Sequence, residues 1–377
     1  MRPKALRIGV EATAYTRSRT GIARYLDCMV SEMMSLDPAA EFVFYAPRHV
    51  DISLTPGRWR LREGLGPLSA ISSLWVQTQV PKWIADDRLD VFWGQNHMLP
   101  IHLRRPCFRL LTVHDVAPFA CPHALKLRSM LIRRFFSIRA CRAADVVVAD
   151  SDATARSLVR VLGVNQAKVR RVYLGIDKRF RPIPLSAAQD VAMGKYRLPA
   201  DYLLTVGTIE PRKDHLVLLR ALELMPDAPE LAIVGRVGWK AHNIMNQIVA
   251  MERAGRVSHL DQVDDPDLPA LYSAAKVLVL PSSYEGFGLP VLEAMACGCP
   301  VLCSWSSSLP EVGGDAARYF KTGDSIDLAR KLSVLLSDGV QRAAMSAAGL
   351  ERVQRFSFRR AAEQVLQIVR QGTACKS

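Results

Sequence analysis

No run in this 377-residue chain approaches the roughly 18 consecutive apolar residues that a membrane-crossing helix needs. The opening Met1-Arg2-Pro3-Lys4-Ala5-Leu6-Arg7 lacks a signal-peptide core and leads into a short strand-like segment. Eight cysteines without regular spacing make no disulfide framework and suit a reducing compartment. Repeats and low-complexity tracts are missing too. With 49% apolar and 23% charged residues, disorder and fibrous architectures are excluded. The expectation is a globular, cytoplasmic chain, long enough for two domains of roughly 100–200 residues.

Acidic residues are scarce in one half only. Met1–Ile183 holds 29 Lys and Arg against 15 Asp and Glu, whereas Pro184–Ser377 holds 21 of each. The whole net charge of +14 therefore falls in the first half, which predicts an anionic partner there.

Short Val-, Leu- and Ile-rich runs alternate with longer helical stretches. The expected strands are Leu6–Val10, Glu41–Tyr45, Val91–Trp93, Arg109–Val113, Val146–Ala149 and Val169–Val172, then Tyr202–Val206, Leu231–Val234, Val277–Leu280 and Val301–Cys303. Such runs read as buried parallel strands, and the alternation as an α/β fold of two doubly wound sheets. Residues 178–199 contain Pro182, Pro184 and Pro199 without a clear period and read as a linker. Ligands of such sheets gather at the carboxyl ends of strands.

The most informative segment is Ser283-Tyr284-Glu285-Gly286-Phe287-Gly288-Leu289-Pro290-Val291-Leu292-Glu293-Ala294-Met295-Ala296-Cys297-Gly298. It follows a strand-like run. Pro290 suits a first helical turn and Gly298 a C-terminal cap. Gly286 and Gly288 allow backbone to approach a ligand, and the free N–H groups of a helix start attract phosphate. Glu285 and Glu293 can face one crevice and accept hydrogen bonds from the hydroxyls of a sugar and a ribose. A helix start stabilised by an acid would account for Glu293 alone.

This segment resembles the E-x7-E signature of the retaining family-4 glycosyltransferases, which have the GT-B fold of two facing Rossmann-like domains with a cleft between them. Further pieces fall in the family's order. Thr20-Gly21-Ile22 resembles its N-terminal glycine loop, and Thr112-Val113-His114-Asp115 its histidine-bearing strand end. Val206-Gly207-Thr208-Ile209-Glu210-Pro211-Arg212-Lys213 is similar to its diphosphate loop, and Leu309-Pro310-Glu311-Val312 to the turn after the signature.

The resemblance implies that Glu285 contacts the donor sugar's hydroxyls and Glu293 the ribose. It implies that Gly286, Phe287, Gly288 and Leu289 offer backbone N–H groups to the sugar and diphosphate. Arg212 and Lys213, beside Gly207, would neutralise the leaving diphosphate. Gly21 would let the first loop close over the diphosphate, a helix-cap glycine being the competing reading. His114 would lie by the donor sugar, touching a hydroxyl or the acceptor; the competing reading is a core histidine oriented by Asp115. For Glu311 a capping box with Ser308 competes. Two positions depart from the family pattern: Thr208 stands where many members have arginine, and Asp261 where a glycine is common.

Some signals are discounted. Cys297, Cys299 and Cys303 lack zinc-site spacing and read as core fillers. Asp150-Ser151-Asp152 and Asp265-Pro266-Asp267 have the D-x-D form of metal-dependent sugar transferases, yet both read better as helix caps.

The resulting expectation is a metal-independent retaining glycosyltransferase without a cofactor. Residues 1–177 would bind the acceptor, 200–355 the nucleotide sugar, and 356–377 would form a helix packing back on the N-terminal domain. The Gly207–Lys213 loop with Gly238-Trp239 looks most like bacterial mannosyltransferases of polysaccharide or O-antigen assembly, so GDP-mannose is the first donor expected and a UDP-sugar the second. The acceptor would be a glycan or a lipid-linked glycan. The rival readings are a GT-B sugar-nucleotide epimerase and a basic nucleic-acid-binding protein. The first lacks identifiable acid/base carboxylates and the second any recognised motif, so no nucleic-acid partner is expected. Finally, Ala124–Arg142 interleaves cations with Leu and Phe. It is expected to hold Lys126, Arg133 and Arg134 on one face with Met130 and Ser137, and to dock on an anionic membrane surface, a core helix with a solvated basic face being the competing reading.

Overall fold

The computed structural model describes residues 5–16, 21–52, 54, 57–64, 72–95, 98–120 and 127–375. The chain divides into two units. One comprises the residues up to Phe119, Leu127–Gly175 and the residues from Ser357 onward; the other comprises Ile176–Phe356.

In the first unit the described strands are β1 (Arg7–Glu11), β2 (Glu41–Ala46), β3 (Trp59–Glu63), β4 (Val91–Gln95), β5 (Phe108–Val113), β6 (Val146–Ala149) and β7 (Val169–Arg171). They form a parallel sheet in the order β3-β2-β1-β4-β5-β6-β7. The second unit repeats the plan with β8 (Tyr202–Val206), β9 (Glu230–Val234), β10 (Val257–Leu260), β11 (Val277–Leu280), β12 (Val301–Ser304) and β13 (Arg318–Phe320). Their order is β10-β9-β8-β11-β12-β13. Each chain path starts in the middle of its sheet, runs outward, then reverses to the other side, which is the doubly wound topology.

Central strands are apolar on both faces because helices cover both. Ile8, Val10, Phe44, Trp93, Leu110 and Val147 are buried in the first unit, and Leu203, Ile233, Val279 and Leu302 in the second. The helices on the second sheet contribute Leu218, Leu222, Leu328 and Leu332 to the same core. β3, β10 and β13 were not among the expected strands. All three lie at sheet edges, where one side of the ladder is open and WRLRE, VSHL and RYF need no apolar run.

The stretch read as a linker is built differently. Residues 178–199 contain the helix Leu185–Gly194, packed on the helix Leu268–Ala274 within the second unit. Pro184 sits at its N-cap, where a missing N–H costs nothing, so the prolines bracket this helix rather than prevent it. The last helix, Phe358–Ala374, packs on the helix Gly21–Leu36 of the first unit. Gly372 lets this last helix lie close to β5, since a Cβ there would stand 2.1 Å from Phe108 Cε2.

Candidate active site

The second unit gathers its charges at the carboxyl ends of β8 and β11. After β8 the chain passes through Gly207, whose φ of 151° and neighbouring Lys213 side chain leave little room for a Cβ. Gly235, at the end of β9, comes closer still: a Cβ there would lie 2.1 Å from the Gly207 carbonyl oxygen. This tight pairing turns the loop into the 3-10 turn Pro211–Lys213, which presents two adjacent cations. Lys213 Nζ donates to Glu285 Oε1 at 2.6 Å, and Arg212 donates to Glu285 Oε2 at 3.1 Å and to Glu210 Oε1 at 2.7 Å. Arg212 also reaches the Tyr284 carbonyl at 2.9 Å.

Glu285 is 6% exposed. Burial by itself would raise its pKa, but Lys213 and Arg212 outweigh that, with Ser282 donating at 2.7 Å, and hold it at about 2. The carboxylate is therefore ionised throughout the neutral range. Its backbone is pinned as well. Glu285 N–H donates to Ser307 Oγ at 2.8 Å, and the hydroxyls of Ser307 and Ser308 donate to its carbonyl at 2.7 and 3.0 Å. This removes the capping box that competed with a site role for Glu311: Ser308 holds the N-cap position of the helix Leu309–Gly313 but makes no side-chain cap bond, its hydroxyl donating to the Glu285 carbonyl. Glu311 itself lies in the first turn of that helix.

From Glu285 the chain enters the helix Leu289–Ala296 through Gly286, Phe287 and Gly288. Gly288 adopts φ 104° at the N-cap, with Leu309 so close that a Cβ would lie 2.7 Å from it. The Phe287 ring is buried against Phe356, which leaves its backbone as the part able to serve a ligand. Glu293, within the helix, is buried and accepts a 2.9 Å bond from the Tyr272 hydroxyl. Gly298 follows the C-cap with φ 75°, as a helix-ending glycine should.

Two expected site residues belong to the first unit. His114 follows β5, and its Nδ1–H donates to Asp150 at 2.6 Å, the carboxylate standing at the end of β6. Burial lowers the histidine's pKa, but the Asp150 charge and bond more than compensate and raise it. Asp150 rather than Asp115 therefore orients the ring; Asp115 accepts from Ala117 N–H at 2.9 Å. Gly21 is the first residue of the helix Gly21–Leu36, and Thr20 lies outside the described residues.

Both D-x-D stretches have other partners. Ser151 caps the helix Asp152–Leu162 by accepting from Thr154 N–H at 2.9 Å, as read from the sequence. Asp267 stands at a cap position but makes no cap bond; Lys195 and the Tyr196 hydroxyl donate to it instead. Cys297, Cys299 and Cys303 are buried free thiols, and burial pushes the Cys297 thiol up to about 12. Among the described residues no group of three His, Cys, Asp or Glu is arranged to hold a metal ion. Sequence reasoning missed Glu210, Ser282, Ser307 and Tyr272. Glu210 lies within a quoted motif and Ser282 and Ser307 beside others, so these could have been read with them, whereas Tyr272 meets Glu293 only through folding.

The chain matches two families: Glycosyltransferase Family 4 over residues 20–180 and Glycosyl transferases group 1 over residues 194–352. It is 32% identical over 291 residues to O-antigen chain mannosyltransferase B of Escherichia coli, covering 75% of each chain. The serotype-specific mannosyltransferase WbdA of Escherichia coli is 31% identical over 57% of this chain, which spans 27% of that longer protein. Among solved structures, sucrose-phosphate synthase from Thermosynechococcus elongatus superposes with a TM-score of 0.81 at 23% identity, over 98% of this chain and all of that one.

Proposed function

Because the chain belongs to glycosyltransferase family 4 and has the GT-B fold, we propose that it transfers mannose from GDP-mannose, with retention, to a hydroxyl of a glycan or lipid-linked glycan. The observation that carries this reading is Glu285 held between Lys213 and Arg212 at the start of the helix Leu289–Ala296. A donor diphosphate brings the negative charge those cations match, and the helix N-terminus adds backbone N–H groups and a favourable dipole. Glu285, permanently ionised, then accepts hydrogen bonds from the donor sugar's hydroxyls, and Glu293 from the ribose.

In the transfer step the bond between the anomeric carbon and the diphosphate oxygen breaks. The acceptor oxygen bonds the anomeric carbon on the same face, and its proton passes to the departing phosphate oxygen. Lys213 and Arg212 stabilise the charge that develops there, so the step is proposed to need neither a divalent metal nor a protein nucleophile. The mannosyltransferase relative supports mannose as the transferred sugar and O-antigen or related polysaccharide synthesis as the setting; GDP is proposed as the sugar's carrier. No described helix is long and apolar enough to cross a membrane. Access to lipid-linked acceptors is proposed through reversible docking at the cytoplasmic face by the helix Leu127–Ala143.

Thermal shift followed by product analysis tests this. GDP-mannose at saturating concentration should raise Tm by several degrees, and UDP-sugars by less. Incubation with a mannoside acceptor should give an α-linked product at a rate that EDTA leaves unchanged. Stabilisation by a UDP-sugar alone would move the donor assignment. An inverted product or strict Mg²⁺ dependence would overturn the mechanism.

A further inference from the structure

Gln95 ends β4 and is 1% exposed, yet neither its side-chain oxygen nor its nitrogen has a hydrogen-bond partner. An amide buried in this state is costly and rare. The surroundings are not loosely built. Met98 N–H donates to the Gln95 carbonyl at 2.8 Å, folding the chain back, and Gly94 makes room, since a Cβ there would stand 2.5 Å from the Met98 carbonyl. Nearby Gln77 shows how a structural glutamine behaves: its amide donates to the Leu99 carbonyl at 2.9 Å and accepts from Ile101 N–H at 2.8 Å.

Register places Gln95 among other unmatched groups. It pairs with Thr112 of β5, so both side chains lie on one face, with His114 two residues further along. The Thr112 hydroxyl already accepts from Trp93 Nε1 at 2.8 Å and cannot offer that lone pair to Gln95. His114 Nε2 and Asp150 Oδ1 are also buried without partners, although the other nitrogen and oxygen of that pair bond each other at 2.6 Å. β4 and β1 flank the point where the strand order reverses, where doubly wound sheets take their ligands.

We infer that Gln95 reads two adjacent hydroxyls of the acceptor glycan, with His114 Nε2 beside it meeting a further one. This rests on the glycosyltransferase reading above. A carboxamide offers one acceptor and two donors, and a vicinal diol can satisfy both kinds at once. A phosphate or carboxylate would leave the amide oxygen unmatched. Gln95 is a specificity-determining residue and His114 a second point of the same contact.

Gln95→Met removes both polar atoms at similar size. If the amide waits for substrate, the purified variant should melt a few degrees higher than the wild type. Its KM for methyl α-mannoside should rise roughly 10- to 100-fold, while the KM for GDP-mannose moves far less. Gln95→Glu keeps the shape but loses the donors, and should likewise raise the acceptor KM selectively. A lower Tm, or a Gln95→Met protein that does not fold, would mean that the amide is tied into the framework, and the inference falls. An unchanged acceptor KM in both variants overturns it as well. A wild type that transfers from no nucleotide sugar would instead overturn the glycosyltransferase reading.

Discussion

Glu285 and Lys213 face opposite demands from stability and from chemistry. In an open ligand cleft both would be solvated, and truncation would spare the fold. Instead both side chains are about nine-tenths buried and bonded to each other, so removing one leaves an unmatched charge. Glu285→Gln should therefore cost about 3 kcal/mol of stability and lower transfer roughly 10- to 150-fold. Lys213→Met should do likewise. The double variant should regain stability without regaining activity, as calorimetry and turnover measurements would show; additive losses of Tm would contradict the pairing. Glu11, at the end of β1, is buried in the opposite situation. Burial raises its pKa from 4.5 to about 7, and the Thr13 N–H bond only partly offsets this. A folded-state pKa above the unfolded one means stability is retained below pH 4.5 and lost as pH rises toward about 7. The loss is about 3 kcal/mol at full ionisation. Glu11→Gln should accordingly raise Tm at pH 8 and leave it nearly unchanged at pH 4.5; equal shifts at both pH values would refute this.

At the scale of elements, central strands and edge strands differed in legibility for one reason. β4, β11 and β12 are covered on both faces and are apolar but for polar residues at the carboxyl ends of β4 and β12, whereas β3 alternates charge because its outer edge meets water. The helix Leu127–Ala143 shows the converse difficulty. The wheel expected Ser137 on the solvated basic face with Arg133 and Arg134, but Ser137 is fully buried. Lys126 and the Arg133 and Met130 side chains lie outside the described residues. Leu131 and Phe135 are 56% and 49% exposed instead, and the Arg139 guanidinium lies 3.5 Å from the Phe135 ring centroid. Exposed Leu, Phe, Arg139 and Arg142 fit an interfacial helix better than the face first expected. Vesicle sedimentation should show binding that grows with anionic lipid and falls at high salt. It should weaken when Leu131 and Phe135 become Ser, or Arg139 and Arg142 become Glu, since each cation contributes about 1 kcal/mol. Equal recovery with neutral and anionic vesicles at low salt would exclude docking.

Over the whole molecule, one topology is used twice with different surfaces. The first unit carries the basic surplus, while in the second acids balance cations, and the buried Lys213 and Arg212 are each matched by Glu285 or Glu210. The chain leaves the first unit at Gly175 and re-enters it at Ser357. These points touch: a Cβ on Gly175 would fall 2.0 Å from Phe358 N, so only glycine fits there. Sequence distance had hidden this contact, although the C-terminal helix was expected to return to the first domain.

By itself the sequence determined what local chemistry controls: the buried parallel strands, the glycines at Gly207 and Gly288, the cap at Ser151, and the order of motifs that marks the family. Those features depend on neighbours a few residues away, where hydrogen-bonding and conformational preferences act directly. Only the tertiary structure decided which charges meet. It tied Ser308 to Glu285 instead of Glu311, oriented His114 by Asp150 instead of Asp115, and left the Gln95 amide unmatched at the end of β4. Such partners come from different strands and loops, and a polar group's partner is set by which donors and acceptors burial leaves within about 3 Å.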